Sequence, residues 1–270
     1  MLFSIFFDFF NYLLFKLKLM IRNKISIIIP YYKKNLFITN TIKSILEQTY
    51  SNYEIIIIDD ENTHESNILL SKITKLSTKI NLVINTNNIG AGFSRNVALN
   101  VANGEFIAFC DSDDLWKKSK LEKQLEFMLK NNIDFSFTSY EIIDEENKFL
   151  DLRYSKSFIK YNDLLKSCDI GLSTVMIRKV LFEDSDLRFA KLKTKEDYVL
   201  WLKIAKKGIK ICGINDVLTS WRKTKNSLSS SITQKLIDGY KVYRSYMKFS
   251  IIKSIFCLLR LSFHFLNKKF

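Results

Sequence analysis

The segment ISIIIPYYKKNLFITNTIKSILEQTYSNYEIIIIDD, residues 25–60, decides the fold of this chain. It begins with an isoleucine-rich run, Ile25–Ile29, that Pro30 stops, and it ends with a second apolar run, Tyr53–Ile58, that two aspartates follow. Short continuous apolar runs predict strands that are buried on both faces. Between them, residues 36–48 have apolar side chains at helical spacing. A helix that joins two buried strands indicates a parallel pair with a right-handed crossover.

Strands and helices continue to alternate along the rest of the chain. This alternation predicts an α/β fold with a mostly parallel sheet flanked by helices. The further predicted strands cover residues 80–84, 106–110, 135–140, 174–178, 209–212 and 218–221, with a polar loop at 141–157. The further predicted helices cover residues 65–76, 90–102, 116–130 and 196–207.

Composition narrows the class of protein. The 270 residues are 47% hydrophobic with 1 proline and 7 glycines, which favours a full core and argues against a turn-rich β-sandwich or barrel. Four scattered cysteines without a C-x-x-C pair argue against a zinc ribbon or a disulfide scaffold and indicate a reducing compartment. Two histidines are too few for a histidine-rich metal site. The net charge of +14 could attract nucleic acid, anionic lipid or a phosphorylated substrate, or it could reflect a general richness in lysine.

Candidate ligand-binding segments follow four of the predicted strands, at the edge where an open parallel sheet binds its ligands. They are Pro30-Tyr31, Asp59-Asp60, the loop Gly90–Arg95 and the cluster Asp111–Asp114. Carboxylates that converge would repel one another unless a divalent cation lay among them. Oxygen ligands suit Mg²⁺ or Mn²⁺, which proteins commonly share with substrate phosphates. The convergence predicts a site for a nucleoside-diphosphate substrate.

Each of these pieces also has a simpler interpretation. Asp59 and Asp60 could form a turn and a helix N-cap, and Asp113 or its neighbour could cap the next helix. The Gly90-x-Gly92 pair could be a tight turn into a helix. Because Arg95 stands where a dinucleotide fingerprint has its third glycine, a Rossmann cofactor site is not predicted.

Residues 24–229 resemble family 2 glycosyltransferases, which are inverting enzymes of the GT-A fold that use nucleotide-sugar donors. The segments that carry the resemblance are ISIIIPYYKKN (25–35), IKSILEQTYSNYEIIIIDDENT (42–63), NNIGAGFSRNVALNVANGEFIAFCDSDDLW (87–116), KEDYVLWLKIAKKG (195–208) and TSWRKTKNSLS (219–229). The resemblance implies a Rossmann-like GT-A sheet. By that resemblance, Pro30, Tyr31 and Asp60 would line a uridine pocket with Asp59 beside it, and Arg95 would support the base and phosphate side.

The resemblance also implies the catalytic groups. Asp111 would contact the ribose and a metal ion, and Asp113 would bind the Mn²⁺ or Mg²⁺ that bridges the pyrophosphate. Asp197 would be the base that accepts the proton of the acceptor hydroxyl. An acidic start to the helix would also be explained by capping alone. Many members have Tyr-Arg-x-His where this chain has Trp-Arg-Lys-Thr, so a possible ligand histidine is missing, and Arg222 or Lys223 is predicted to meet the diphosphate.

The predicted activity is the transfer of one hexosyl or N-acetylhexosaminyl group from a UDP-sugar to a hydroxyl of a surface glycan. The acceptor would be lipopolysaccharide, capsule or a lipid-linked oligosaccharide. The chain contains no Gln-x-x-Arg-Trp sequence, which disfavours a processive synthase. A sugar-phosphate nucleotidyltransferase is a second candidate, although the first strand lacks a glycine-rich loop after it. A catalytically degenerate, membrane-associated GT-A scaffold is a third. Too few basic residues lie near the active edge for a nucleic-acid groove.

Three segments are predicted along the chain. Residues 1–23 are apolar and basic and too short to span a bilayer; they could lie in the membrane interface, or Met20 could be the true start. Residues 24–230 form the glycosyltransferase domain. Residues 231–270 are predicted to be a basic amphipathic helical tail, which either binds an anionic membrane surface or packs back on the domain. The expected location is cytoplasmic, peripheral at the inner face of the cytoplasmic membrane.

Overall fold

The computed structural model describes residues 22–224 and 231–267. The predicted extension at residues 1–23 lies almost wholly outside these described residues. The strands are β1 (Ile25–Tyr31), β2 (Tyr53–Asp59), β3 (Ile80–Ile84), β4 (Phe106–Phe109), β5 (Leu115–Trp116), β6 (Phe135–Ile143), β7 (Phe149–Arg153), β8 (Phe158–Ile159), β9 (Met176–Arg178) and β10 (Ile211–Arg222). The α-helices are α1 (Ile38–Leu46), α2 (His64–Thr74), α3 (Ala91–Val101), α4 (Lys120–Lys130), α5 (Tyr161–Leu164), α6 (Glu196–Lys206), α7 (Ile232–Lys241) and α8 (Ile251–Asn267).

All described strands belong to one sheet. Its order is β3-β2-β1-β4-β9-β6-β10-β5, with β7 beside β6 and β8 beside β10. The pairs among β3, β2, β1 and β4 are parallel, as is β6 with β10, whereas β5, β7, β8 and β9 pair antiparallel to their neighbours. The predicted α/β fold is confirmed, and the four neighbouring parallel strands β3, β2, β1 and β4 carry the predicted donor site.

The isoleucines of β1 show why this sheet is buried on both faces. Ile25, Ile27 and Ile29 pack into one core together with the apolar side chains of α1. Ile28 points to the opposite face, where it joins a second core that contains α6. Successive side chains of a strand alternate between the faces, so an uninterrupted apolar run requires helices on both sides. Five residues of β1 are completely buried isoleucine or tyrosine.

The last strand differs from its prediction. The two strands predicted at 209–212 and 218–221 form the single strand β10. Its register with β6 shifts between Ile214 and Val217 and again before Thr219. These irregularities accommodate an exposed polar pair, 215–216, within a strand that is otherwise largely paired.

Two local features of the middle segment were also predicted differently. The helix predicted from residue 116 begins at Lys120, because Leu115–Trp116 pairs with β10 instead. The polar loop predicted at 141–157 contains β7, which pairs with β6. Polar strands at a sheet edge lack the alternation that identifies a strand, so the pairing partner decides their conformation.

The C-terminal helices pack against α6. Between α7 and α8 a π-helical turn covers Val242–Tyr246, and Val242, Tyr243 and Met247 are buried in the same core as α6. The Tyr243 hydroxyl lies 2.9 Å from the hydroxyl of Tyr198 on α6. From α7, the buried carboxylate of Asp238 accepts hydrogen bonds of 3.0 Å from both the backbone N–H and the hydroxyl of Thr194, just before α6.

The last helix described, α8, is amphipathic. Ser254, Cys257 and Leu261 are buried against the domain. The exposed apolar side chains on this helix are Ile251, Ile252, Ile255, Phe256, Leu259 and Phe263. Within residues 22–224 and 231–267, no helix combines the length and apolar character needed to cross a bilayer.

Candidate active site

The loops that follow β1, β2 and β3 meet at one edge of the sheet. The backbone N–H of Asp60 donates to the carbonyl of Tyr31 at 2.9 Å, and that of Asn85 donates to the carbonyl of Asp59 at 2.9 Å. The acidic turn after β4 lies at the same edge, because β4 runs parallel to β1. The structure therefore brings together the segments that the sequence assigned to the donor site.

Arg95 links two parts of this edge. One guanidinium nitrogen lies 2.6 Å from Asp111, and the other lies 2.7 Å from Glu196 at the start of α6. Arg95 is 3% exposed, and its guanidinium also packs over the ring of Phe189 at 5.4 Å. A buried cation between two carboxylates fixes both of them in place. Arg95 thus joins Asp111, which is predicted to bind the donor, to α6, which carries the predicted base Asp197.

Thr194 and Lys195, which precede the predicted base Asp197, are called the base loop, and Lys195 has an unusual backbone conformation. Lys195 precedes α6 in the left-handed region with φ +65°, a conformation that residues with a side chain rarely adopt. Thr194 before it is tied to Asp238, as described above. Left-handed residues persist where surrounding contacts over-determine them, and they concentrate at functional sites. The abrupt start of α6 places Glu196 and Asp197 in its first turn.

The two acidic side chains of this turn have shifted pKa values. Burial raises the pKa of Asp197, while Arg95 acts in the opposite direction. Burial raises the pKa of Glu196 to about 7, again against the effect of Arg95. One oxygen of Asp197 accepts a hydrogen bond of 2.7 Å from the backbone N–H of Tyr198. A carboxylate whose pKa is raised by burial is a stronger base than an exposed one, as a general base requires.

The acidic turn after β4 contains three aspartates in different environments. The Asp111 side chain is 33% exposed. The Asp113 carboxylate lies 2.6 Å from the ammonium of Lys34. Asp114 is completely buried and accepts hydrogen bonds from the Ser173 hydroxyl at 2.5 Å and from the backbone N–H of Arg222 at 2.8 Å. Asp114 therefore holds the turn, whereas Asp111 and Asp113 are the two carboxylates closer to solvent.

A divalent cation fits this pair by its chemistry. Among the described residues, no three His, Cys, Asp or Glu side chains cluster as a protein-only metal site. Mg²⁺ commonly takes one or two carboxylates and completes its shell with substrate phosphates and water. Asp111 and Asp113 supply two hard oxygen ligands, and each is also paired with a protein cation. Such a site suits a metal ion that arrives together with a diphosphate.

Asp59 and Asp60 are buried beneath the predicted uridine pocket. Asp59 accepts hydrogen bonds from the backbone N–H groups of Glu61 and Asn62, and from the hydroxyl of Ser66. It therefore holds the turn into α2, and its place beside the ligand stays a prediction. Asp60 is 2% exposed and accepts from two backbone N–H groups of the loop before α3, at 2.9 and 2.8 Å. Contact between Asp60 and a base stays a prediction.

Pro30 and Tyr31 end β1, and both are buried. The Tyr31 hydroxyl donates to the side-chain oxygen of Asn35. Burial raises the pKa of Tyr31, with nearby Glu61 adding to the effect. These two residues form the floor of the loop after β1, and the exposed surface above them belongs to Tyr32 and Lys33.

Arg222 is buried and surrounded by acceptors of the protein. It is 3% exposed, and its guanidinium donates to the carbonyls of Asp113, Asp144 and Glu145 and to the side chain of Asn147. These hydrogen bonds connect β10 to the turns after β4 and β6. The guanidinium thus has protein acceptors, and its contact with a diphosphate stays a prediction.

Lys34 is the cation that the sequence did not identify at this edge. Its ammonium lies beside Asp113 and 3.1 Å from the hydroxyl of Thr224, and the side chain is 22% exposed. In the sequence, Lys34 was one of two adjacent lysines in a polar loop after β1. Charge complementarity to the acidic turn was the signal available, and it does not distinguish Lys34 from Lys33.

Comparison with known proteins adds independent findings. The family model described as glycosyl transferase family 2 matches residues 26–186. TuaG of Bacillus subtilis, named for a role in teichuronic acid biosynthesis as a glycosyltransferase, is 34% identical over 246 residues, covering 91% of this chain and 97% of TuaG. The glucosyltransferase WfgD of Escherichia coli, named for transfer from UDP-Glc to α-D-GlcNAc-diphosphoundecaprenol, is 37% identical over 226 residues, covering 83% of this chain and 87% of WfgD.

Solved structures share the fold. S. aureus TarS in complex with UDP-GlcNAc superposes with a TM-score of 0.68 at 22% identity, covering 87% of this chain and 70% of the TarS chain. The mannosyltransferase of Pyrobaculum calidifontis in complex with GDP-Man and Mn²⁺ gives a TM-score of 0.65 at 17% identity, covering 87% of this chain and 69% of the other. At these identities the likeness concerns the fold.

Proposed function

The chain belongs to glycosyl transferase family 2, and from that premise we propose that it transfers one sugar from a UDP-sugar to a hydroxyl of a lipid-linked or other surface-glycan acceptor. The observation that carries the proposal is the Arg95 bridge, which joins Asp111 on the donor side to Glu196, the neighbour of Asp197. The acceptor class is supported by relatives named for teichuronic acid and for a diphosphoundecaprenol substrate. The UDP-sugar donor is supported by the name of WfgD, which specifies UDP-Glc.

Asp197 is the proposed general base. It lies in the first turn of α6, where burial raises its pKa. In the proposed reaction it accepts the proton of the acceptor hydroxyl while that oxygen attacks the anomeric carbon from the face opposite the nucleotide. The bond from the anomeric carbon to the diphosphate oxygen breaks, and the configuration inverts. Arg95 and the strained Lys195 hold the first turn of α6, and with it Asp197, in a fixed orientation.

Asp111 and Asp113 would hold Mn²⁺ or Mg²⁺ at the donor site. When bound, such an ion stabilises the negative charge of the departing diphosphate. The proposal is supported by the two hard carboxylates and by the Mn²⁺ named with the mannosyltransferase of the same fold. The role of the protein is to hold these carboxylates apart from other acids: Asp114 is turned into the protein by Ser173.

A thermal-shift panel tests the donor proposal directly. The nucleotides UDP, GDP, CMP and dTDP would each be added with and without Mn²⁺ to the wild type and to Asp113→Ala. A ligand at about 100 times its Kd adds about 2.7 kcal/mol of stability, which is readily measured. We expect stabilisation by UDP with Mn²⁺ in the wild type and a much smaller effect in the variant. A cooperative melt with no response to any nucleotide would favour the degenerate scaffold instead.

We also propose that α8 makes a peripheral contact with the inner face of the cytoplasmic membrane. Its exposed apolar side chains include Ile252, Phe256 and Leu259, which are 83, 56 and 63% exposed. Two basic residues of the same helix, Lys253 and Arg260, pack over aromatic rings near this surface, at 4.0 and 5.5 Å. Apolar and basic groups together suit an anionic lipid surface, where a lipid-linked acceptor would be found.

Vesicle sedimentation tests the membrane proposal. The triple variant Ile252→Ser, Phe256→Ser, Leu259→Ser should lose binding to vesicles that contain anionic lipid. The matched control places the same number of exposed apolar-to-serine changes elsewhere on the surface, at Ile68, Leu76 and Val101, which are 45, 50 and 46% exposed. Equal vesicle binding by the two triple variants and the wild type would contradict a role of α8.

A further inference from the structure

Lys34 is placed between the acidic turn and the donor side of the cleft. Its ammonium lies 2.6 Å from the Asp113 carboxylate and 3.1 Å from the Thr224 hydroxyl. The side chain is 22% exposed and lines an open depression with Lys33 and Glu61. Lys34 thus contacts the protein on one side and reaches solvent on the other.

The charges around Asp113 show why this ammonium matters. Arg95 pairs with Asp111, and Asp114 is satisfied by a hydroxyl and a backbone N–H. The Asp113 side chain is 13% exposed and has Lys34 as its ion-pair partner. In the free protein, Lys34 therefore supplies the positive charge that faces the Asp113 carboxylate.

A divalent cation on Asp113 changes this balance. It would bring two positive charges to the carboxylate that holds the ammonium, so the two cations repel each other at close range. A diphosphate that arrives with the metal carries negative charge into the same cleft. The ammonium is on a flexible four-carbon stem and can move between the two acceptors without backbone change.

We propose that Lys34 is a built-in counter-cation of the donor site that pairs with Asp113 in the free protein and with the nucleoside diphosphate when metal and nucleotide are bound. This inference rests on the proposed function in that its second partner is the diphosphate of the donor. It follows that metal alone binds weakly, because it must displace Lys34 from Asp113. Metal and nucleotide then favour each other's binding, since the displaced ammonium gains a new partner.

The test compares Lys34→Gln with its neighbour Lys33→Gln, which removes the same charge from a side chain that lies over the Tyr32 ring at 5.2 Å. Mn²⁺ alone is titrated by the EPR signal of free Mn²⁺. UDP and uridine are then titrated by calorimetry in saturating Mn²⁺. We expect Lys34→Gln to bind Mn²⁺ alone about tenfold more tightly and UDP in Mn²⁺ about tenfold more weakly, with uridine unchanged. Lys33→Gln should bind Mn²⁺ alone as the wild type does, because Asp113 keeps its ion pair with Lys34.

Lys34→Arg keeps the charge and should bind Mn²⁺ alone as weakly as the wild type, which separates loss of charge from loss of folding. The inference is overturned if Lys34→Gln and Lys33→Gln bind Mn²⁺ equally. It is also overturned if Mn²⁺ binding tightens while UDP binding stays the same, because the diphosphate is then not the second partner. Failure of the proposed function looks different: the wild type then binds no nucleoside diphosphate, while the Mn²⁺ titration still reports on the pairing of Lys34 with Asp113.

Discussion

Gly92 provides the sharpest test of the link between the donor site and the base. It lies in the first turn of α3, and a Cβ placed there would be 2.8 Å from Cγ of Glu196 and 3.1 Å from the carbonyl oxygen of Ala190. Carbon atoms in contact are normally about 3.5–4.0 Å apart, so Glu196 would have to move by several tenths of an ångström or more. Because Glu196 pairs with Arg95, the movement would disturb that ion pair and the adjacent Asp197.

Gly92→Ala should therefore reduce activity far more than stability. Overpacking costs about 1–3 kcal/mol, and alanine in place of glycine within a helix returns about 1 kcal/mol. The net loss of unfolding free energy should lie between zero and about 2 kcal/mol. A displacement approaching 1 Å at a catalytic group can lower the rate about 100-fold. Urea unfolding measures the first quantity, and kcat for sugar transfer to a lipid-linked acceptor measures the second.

The control is a double-mutant cycle with Glu196→Ala. That substitution removes Cγ of Glu196, the nearest atom that Gly92→Ala would strike, so the two changes should be strongly non-additive in kcat. Additive effects would show that the clash with Glu196 is not how the alanine acts. A Gly92→Ala variant with wild-type kcat would refute the reasoning, because Asp197 would then tolerate movement of its neighbour.

Three further outcomes are expected. Asp197→Asn should lower kcat about 100-fold or more with the melting temperature nearly unchanged. Because burial raises the pKa of Asp197, wild-type kcat/KM should begin to fall on acidification at a pH above the ordinary titration range of aspartate. A flat pH profile through that range contradicts the assignment of Asp197 as the base. Asp238→Ala should cost about 1–3 kcal/mol in urea unfolding by leaving the buried Thr194 N–H without its acceptor, and lower kcat as well; unchanged kcat would separate α7 from the base loop. Burial lowers the pKa of Lys120 to about 7, so the unfolded chain binds more protons than the folded one between about pH 7 and pH 10. The free energy of unfolding of the wild type should therefore rise across this range by up to about 1.4 kcal/mol per pH unit. Lys120→Met should reduce that slope.

The parallel half of the fold could be predicted because its signal is local. Ile25–Ile29 and Tyr53–Ile58 are apolar without interruption, and such runs have few alternatives to a buried strand. The C-terminal half of the sheet could not be predicted in the same way. β8 has only two residues and β7 is partly polar, and they are strands because β10 and β6 offer them hydrogen bonds. A strand that forms because another segment pairs with it need not show a period of two in its own sequence.

The residues of the candidate site could likewise be predicted only in part. The family resemblance identified Asp111, Asp113 and Asp197 as a group, and the structure gathers their segments around Arg95. Which polar groups are already satisfied inside the protein could not be predicted. Asp59 was expected beside the ligand, but it is surrounded by backbone N–H groups of its own turn. That distinction depends on loop conformation, which is not encoded by residue type alone.

The attachment of α7 to the base loop also has a consequence for how the enzyme is made. During synthesis the N-terminal βαβ units leave the ribosome first and can fold as they emerge. Thr194 meets its acceptor only after Asp238 has been translated. A ribosome-bound or prematurely terminated chain that lacks α7 could thus form the donor half of the molecule while the base loop stays unsupported. If Asp197 is the base, such incomplete chains would bind nucleotide-sugar without transferring it.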